Sequence, residues 1–487
     1  MAIEPKLAFA TIRELGKRLR AGEFSSVELT EFFLQRLEKL GPPLNAVVTV
    51  TRELALRQAA VADRELKEGR DRGPLHGIPY GAKDLLATPG IPTTWGAAPY
   101  KNRLINDEAT VVRRLRDAGA VLAAKLAMVE IAGGMGYRQA NAALTGPGLN
   151  PWAPDSWAGG SSSGSGAAVG AGLVPFAIGS ETWGSIMTPA GYCGVTGLRP
   201  TYGRVSRGGA MALSWTMDKI GPLGRTADDC GLVLHAIAGL DDRDETTLEA
   251  TYRYSPDQEP RPAAPATPAA PATPAARPFR LALIAEPLKL QPEVQANYDR
   301  ALEKLREIAV FRDSPLKLPD LPSDLVASTI ISCEMAAAFG PMIRDGVVWD
   351  LTAPEDRIGG YAAQLIPAVD YINAFRIRRK LQRALDELFV DIDAIVTPTL
   401  ASVAPPNARS FRDYQAGLRA SGIGGAGNAA GIPAITVPNG LGERGLPTGL
   451  QFVGRAGDEN RLLAVAAAYQ RITDFHTASP PAYQESK

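Results

Sequence analysis

Two serines stand 24 positions apart, and a lysine stands 78 positions before the first of them. The serines are Ser161, in Gly159-Gly160-Ser161-Ser162-Ser163-Gly164-Ser165, and Ser185, in Thr182-Trp183-Gly184-Ser185-Ile186. The lysine is Lys83, in Gly77-Ile78-Pro79-Tyr80-Gly81-Ala82-Lys83-Asp84. Acyl transfer needs a nucleophile, a proton carrier and donors for a developing oxyanion. A serine at a strand end, beside several backbone N–H groups, can combine the first and the last. Histidine is the usual carrier. The three here are His235 in the apolar run Leu232–Ala238, His476 near the end of the chain and His76 in a turn before Gly77-Ile78-Pro79. None is expected to act. A lysine can take a proton only when neutral, which requires burial or nearby positive charge. The mostly apolar flanks of Lys83 fit burial, although composition alone favours a surface lysine. The glycine-serine run reads equally as a linker or as the turn that opens a small-residue helix through Ala167–Gly172.

The elements that must position these residues alternate in type. Ser25 and Glu28 form a capping-box pair that opens a helix, with Phe33, Leu37 and Leu40 on one face and Gly41-Pro42 at its end. A charged helix over Thr110–Ala118 runs into a strand at Ala120–Ala124. Leu173–Ile178, Phe279–Ala285, Ala394–Pro398, Ile432–Pro438 and Gly449–Val453 read as further strands, and Asn460–Gln470 as a helix. Residues 324–390 look largely helical and suit a cap. This alternation predicts the α/β class.

Residues 255–278 contain Pro-Ala-Thr-Pro-Ala-Ala twice and cannot bury a core, so an extended connector is expected there. The organisation read from this is an N-terminal helical segment over 1–70, a core over 71–254, the connector over 255–278, and a remainder over 279–487. Strands on both sides are expected to join one sheet.

Lys+Arg and Asp+Glu are both 52, which argues against an electrostatic nucleic-acid binder. Cys193, Cys230 and Cys333 are scattered without a Cys-x-x-Cys pair, so neither a disulfide framework nor a metal site is suggested. The N-terminal residues show no apolar leader, and a soluble, cytoplasmic protein is expected. Gly422-Ile423-Gly424-Gly425-Ala426-Gly427 satisfies G-x-G-x-x-G, but no strand precedes it, so a dinucleotide site is rejected and no cofactor is expected.

Taken jointly, Gly159-Gly160-Ser161-Ser162, Gly184-Ser185-Ile186 and Cys193-Gly194-Val195-Thr196-Gly197-Leu198-Arg199-Pro200-Thr201 resemble the amidase signature family. The Gly-Ile-Pro…Lys83-Asp84 element, Asn428–Ala434 and Gly449–Gly454 extend the likeness. The resemblance implies an amidase signature fold with a mixed, mostly parallel sheet covered by helices on both faces. It implies Ser185 as the acylated nucleophile, Ser161 as a bridging serine after a cis bond from Gly160, and Lys83 as base. It also implies an oxyanion hole from the N–H groups of Thr182, Trp183, Gly184 and Ser185. Met135, Gly136 and Tyr137 match a loop that lines the family's site. The implied activity is hydrolysis of a carboxylic amide, with ester, anilide or carbamate as further possibilities. A small-molecule amide, no nucleic acid, no membrane and a possible homodimer complete the expectation.

Departures from the pattern matter. Glu181 replaces a usual Asp, Trp183 a glycine and Met187 an arginine that often supports the site. These changes suggest an apolar or aromatic pocket, unless the Trp183 ring turns into the core. Two rivals remain. Pro200–Arg207 resembles the glutaminase component of a tRNA-dependent amidotransferase, for which Arg357 is a candidate cation for the glutamine carboxylate. The other rival is a non-catalytic binding protein on the same fold.

Overall fold

The computed structural model describes residues 3–256 and 278–484. Eleven strands form one sheet: β1 Val47–Val50, β2 Pro79–Lys83, β3 Val121–Leu126, β4 Phe176–Glu181, β5 Thr196–Arg199, β6 Lys219–Gly224, β7 Phe279–Ala282, β8 Ala309–Phe311, β9 Ala394–Pro398, β10 Ala434–Leu441 and β11 Pro447–Val453. Their order is β1-β3-β2-β4-β6-β5-β10-β11-β9-β7-β8. Strands from either side of the Pro/Ala-rich segment therefore share the sheet. Residues 257–277, most of the expected connector, lie outside the described residues.

The α/β class holds, but the expectation of a mostly parallel sheet is corrected. β2 is parallel to β3 and β4, and β7 is parallel to β8 and β9. The other six pairings are antiparallel. Chain connections explain the split. The parallel β2–β3 pair is linked by a long crossover through the helix Thr110–Asp117, whereas β10 and β11 are joined by a tight turn at Glu443–Gly445. Only an antiparallel pair can close so short a link.

The alternation of the strands divides the interior into two cores. On β3, Leu122 faces one core while Val121 and Ala123 face the other. On β4, Phe176 and Ile178 face the first and Ala177 the second. Tyr80 of β2 stacks on Phe176 directly across the pair, with ring centroids 5.3 Å apart. Helices pack on both faces. One is Ser26–Leu40, whose cap forms as expected: Glu28 N donates to Ser25 Oγ at 3.1 Å and Ser25 N donates to Glu28 at 2.7 Å. Its Leu29, Phe33 and Leu37 are buried. The 324–390 region is helical as expected, with Ser323–Ala338, Pro354–Ala363 and Ala368–Leu388 as its main pieces. Among the described residues no helix is long and apolar enough to cross a membrane.

Candidate active site

Lys83 is the last residue of β2, flanked by a parallel strand on each side. That central position leaves its side chain fully buried. Burial outweighs the upward pull of the Asp218 and Glu181 carboxylates and leaves the ammonium pKa lowered to about 7. Its Nζ lies 2.7 Å from Ser161 Oγ and 2.9 Å from Ser180 Oγ. The surface-lysine reading is thereby excluded. Ser161 follows a cis peptide bond from Gly160 and sits just before the helix Ser163–Gly170, so the glycine-serine run opens a helix rather than linking domains. Gly160 has no room for a side chain: a methyl there would stand 2.7 Å from Trp157 and 3.1 Å from Tyr137 Oη.

Ser185 lies in the loop between β4 and the helix Met187–Cys193. Its carbonyl accepts from Ser162 N at 3.3 Å, which ties this loop to the cis-bonded segment. Among the described residues, no hydrogen bond joins the hydroxyls of Ser161 and Ser185. Nor do the N–H groups of Trp183, Gly184 and Ser185 meet a protein acceptor there. Free donors of this kind, next to a partly exposed hydroxyl, suit a developing oxyanion. Gly184 adopts φ +84°, a left-handed turn that glycine makes without strain.

Glu181 anchors the end of this loop. Its carboxylate accepts from Ile186 N at 2.8 Å and Met187 N at 3.0 Å, and it pairs with Arg199 Nη1 at 2.9 Å. Both partners of the ion pair are fully buried. Burial opposes ionisation of Glu181, but Arg199, Lys219 and the N–H bonds hold its carboxyl below the usual range. On the other flank, Thr182 Oγ1 donates to Asp218 at 2.6 Å, and Lys219 Nζ donates to Thr182 O at 3.3 Å. The missing arginine at Met187 therefore does not leave the loop unsupported. Arg199, on β5, supplies the cation, and the longer Glu181 side chain receives it.

A cavity of about 620 Å³ opens over this loop. Ser185, Trp183 and Tyr137 line it, and Trp183 is 39% exposed, so its side chain does not turn into the core. Met135 and Gly136 are not on the wall, which corrects their assignment to the pocket. Met135 is buried against the helix Pro354–Ala363, where a methyl on Gly360 would stand 3.1 Å from its Sδ. Gly136 adopts φ +110°, and of the three residues only Tyr137 reaches the cavity. Tyr137 packs edge-on against Trp157 and Phe411, two further wall residues. Arg357 donates to Leu351 O at 2.8 Å and is not on the wall, whereas Arg419 is.

No histidine is among the residues lining the cavity. His76 is buried between Arg72 N and Glu65, and His235 accepts from Tyr254 N. Sequence reasoning missed Ser180, Arg199, Asp218 and Lys219, whose roles depend on pairing between distant strands. It also dismissed Gly422–Gly427 once a dinucleotide was rejected, yet Gly422, Gly424 and Gly425 form part of the wall.

Comparison with known proteins places this geometry. The Amidase family model matches residues 28–463. The chain is 36% identical to a glutamyl-tRNA(Gln) amidotransferase subunit from Methylococcus capsulatus, covering 96% of this chain and 98% of that protein. Among solved structures, the peptide amidase of Stenotrophomonas maltophilia is 32% identical with a TM-score of 0.81, covering 96% of this chain and 97% of the other. The corresponding glutamyl-tRNA(Gln) amidotransferase subunit from Thermotoga maritima is 26% identical with a TM-score of 0.76, covering 96% of each. The curated relatives are named for a tRNA-borne glutamyl group and as one subunit of an assembly. That overturns the expectation of a small-molecule amide without nucleic acid and with at most a second copy of the chain as partner. The profile match and the identity over nearly the whole length make the chain a member of the amidase signature family.

Proposed function

We propose that this chain splits a carboxamide through an acyl-enzyme on Ser185, as the amide-hydrolysing component of an amidotransferase of the kind its curated relatives are named for. The observation that carries the reading is Lys83: fully buried, 2.7 Å from Ser161 Oγ, with a pKa of about 7. Close to neutral pH such a lysine holds a useful neutral fraction, and general bases work best when their pKa lies near the working pH.

In this reading Ser185 Oγ adds to the amide carbon while its proton passes through Ser161 to Lys83. The oxyanion forms against the N–H groups of Thr182, Trp183, Gly184 and Ser185. The C–N bond then breaks, and the proton held by Lys83 returns to the departing nitrogen, which leaves as ammonia or an amine. Water opens the resulting ester by the same relay run a second time. Substrate binding would close the Ser161–Ser185 link, as catalytic contacts often tighten only in the complex. For glutamine, Arg419 is the cavity cation we assign to the carboxylate. Cys193 and Cys230 are buried thiols, which fits the cytoplasmic setting we favour.

A second reading, an amidase for a bulkier apolar or aromatic acyl group, is favoured by one observation: Trp183, Tyr137, Trp157 and Phe411 together line the cavity. Ammonia release from glutamine should be compared with release from an aryl carboxamide of equal concentration, in the purified chain and in Ser185→Ala. Turnover of either that vanishes in Ser185→Ala supports the chemistry, and their ratio chooses between the readings. Release that survives Ser185→Ala contradicts both.

A further inference from the structure

We infer that Lys219 is a positioning residue for the oxyanion hole: its amine holds the carbonyl of Thr182 and so turns the N–H of Trp183 toward the cavity. The inference rests on the reading above, in which Ser185 is acylated. Strands β4 and β6 run antiparallel, with Glu181 directly opposite Lys219. The chain leaves β4 at Glu181, and Thr182 opens the nucleophile loop. Lys219 therefore sits buried at the foot of that loop. Its Nζ donates to Thr182 O at 3.3 Å and also to Met217 O. Thr182 is held a second time, by its hydroxyl on Asp218.

The Thr182–Trp183 bond is trans. A trans peptide unit is planar, so its C=O and N–H point in opposite directions. Thr182 and Trp183 line the cavity, and Lys219 does not. A carbonyl drawn to Lys219 points away from the cavity, and the Trp183 N–H on the other side of the same plane points into it. Glu181 fixes the far end of the loop through Ile186 N and Met187 N, so the free donors lie between two anchors. A buried lysine normally meets a carboxylate. Among the described residues Lys219 has none within ion-pair distance, and the polar atoms it touches are backbone carbonyls. Burial, with Arg199 of β5 and Arg378 of the helix Ala368–Leu388, outweighs the pull of Glu181 and Asp218 and lowers its pKa to about 7. The charged and the neutral amine both donate, so the hold on Thr182 O persists through this titration.

Lys219→Met keeps the bulk and removes the donor. For the faster of glutamine and benzamide, kcat should fall roughly 10- to 100-fold with KM within about 2-fold, less than the ~10²–10³-fold for an oxyanion donor lost outright, because the N–H is misdirected rather than deleted. In protein labelled with 15N-tryptophan, the Trp183 amide, assigned through Trp183→Phe, reports on the peptide itself, since its nitrogen shares a plane with Thr182 O. Its resonance should move in Lys219→Met while those of the other tryptophans hold. In the parent protein it should also shift with an apparent pKa of about 7, and still do so in Lys83→Ala, which decides the matter even where Lys219→Met fails to fold. A kcat within about 2-fold of the parent value, a loss felt in stability alone, or a Trp183 resonance indifferent to Lys219 and to pH overturns the inference. Turnover that survives Ser185→Ala would instead remove the proposed function, and the Trp183 resonance would still decide for or against the hold on its peptide.

Discussion

The half of the sheet before the Pro/Ala-rich segment and the half after it divide the work. Lys83, Ser161, Ser180 and Ser185 all come from residues before 255: Lys83 and Ser180 at the ends of β2 and β4, Ser185 in the loop after β4, and Ser161 just before the helix Ser163–Gly170. Asp324, Phe411, Arg419, Gly422, Gly424 and Gly425, which line the same cavity, all come from residues after 278. Lys83 and Ser180 are held by strands paired on both sides, the second group by helices and loops. Chemistry placed on a rigid, fully packed strand end can stay fixed while the facing wall changes what is bound.

The largest expected effects test the first half. Ser185→Ala and Lys83→Ala should each lower kcat by roughly 10³-fold or more, with folding intact by circular dichroism. Near-normal kcat in Lys83→Ala would remove the lysine from the chemistry. Ser161→Ala should cost as much or less. Glu181→Gln should be severe in a different way. It leaves Arg199 buried without its counter-charge, a change that typically costs about 3–5 kcal/mol, read as a lower denaturation midpoint. It also shifts the pH profile. Glu181 raises the Lys83 pKa, so its neutralisation lowers that pKa, and the acid limb of kcat/KM should move to lower pH. An unmoved limb would show that Glu181 acts through packing alone.

Smaller effects test the second half. Arg419→Ala should raise KM for glutamine about 10-fold while leaving kcat close to the parent value, because a lost ground-state contact is felt in binding. Trp183→Gly crosses the two halves, since its ring belongs to the nucleophile loop but faces the far wall. It should alter kcat/KM ratios across an amide panel by a few-fold, and unchanged ratios would take the ring out of the substrate's path.

The same division separates what could be read from the residues and what could not. Ser25 and Glu28 form their capping box because three residues suffice to define it. The strands ending at Pro398 and Val453 stand where their apolar runs fall. The local motifs around Lys83, Ser161 and Ser185 are short enough to carry a family resemblance. Pairing direction is not local, which is why a mostly parallel sheet was expected and six of the pairings proved antiparallel. Ser180 reaches Lys83, and Arg199 reaches Glu181, only after strands distant in sequence are laid side by side. Met135 and Gly136 were misplaced for a related reason. Sequence adjacency to Tyr137 does not put them on the same surface, since Met135 is buried against another helix and Gly136 adopts a positive φ between them.

The central claim is that Lys83 loses its proton within the folded protein and thereby arms Ser185. The rate at which a fluorophosphonate labels Ser185, followed from pH 5 to 10 by peptide mapping, tests it without knowledge of the substrate. The account predicts a rate that climbs through an apparent pKa of about 7 and a step that disappears in Lys83→Ala. A rate without that step in the parent protein, or the same step retained in Lys83→Ala, would contradict it.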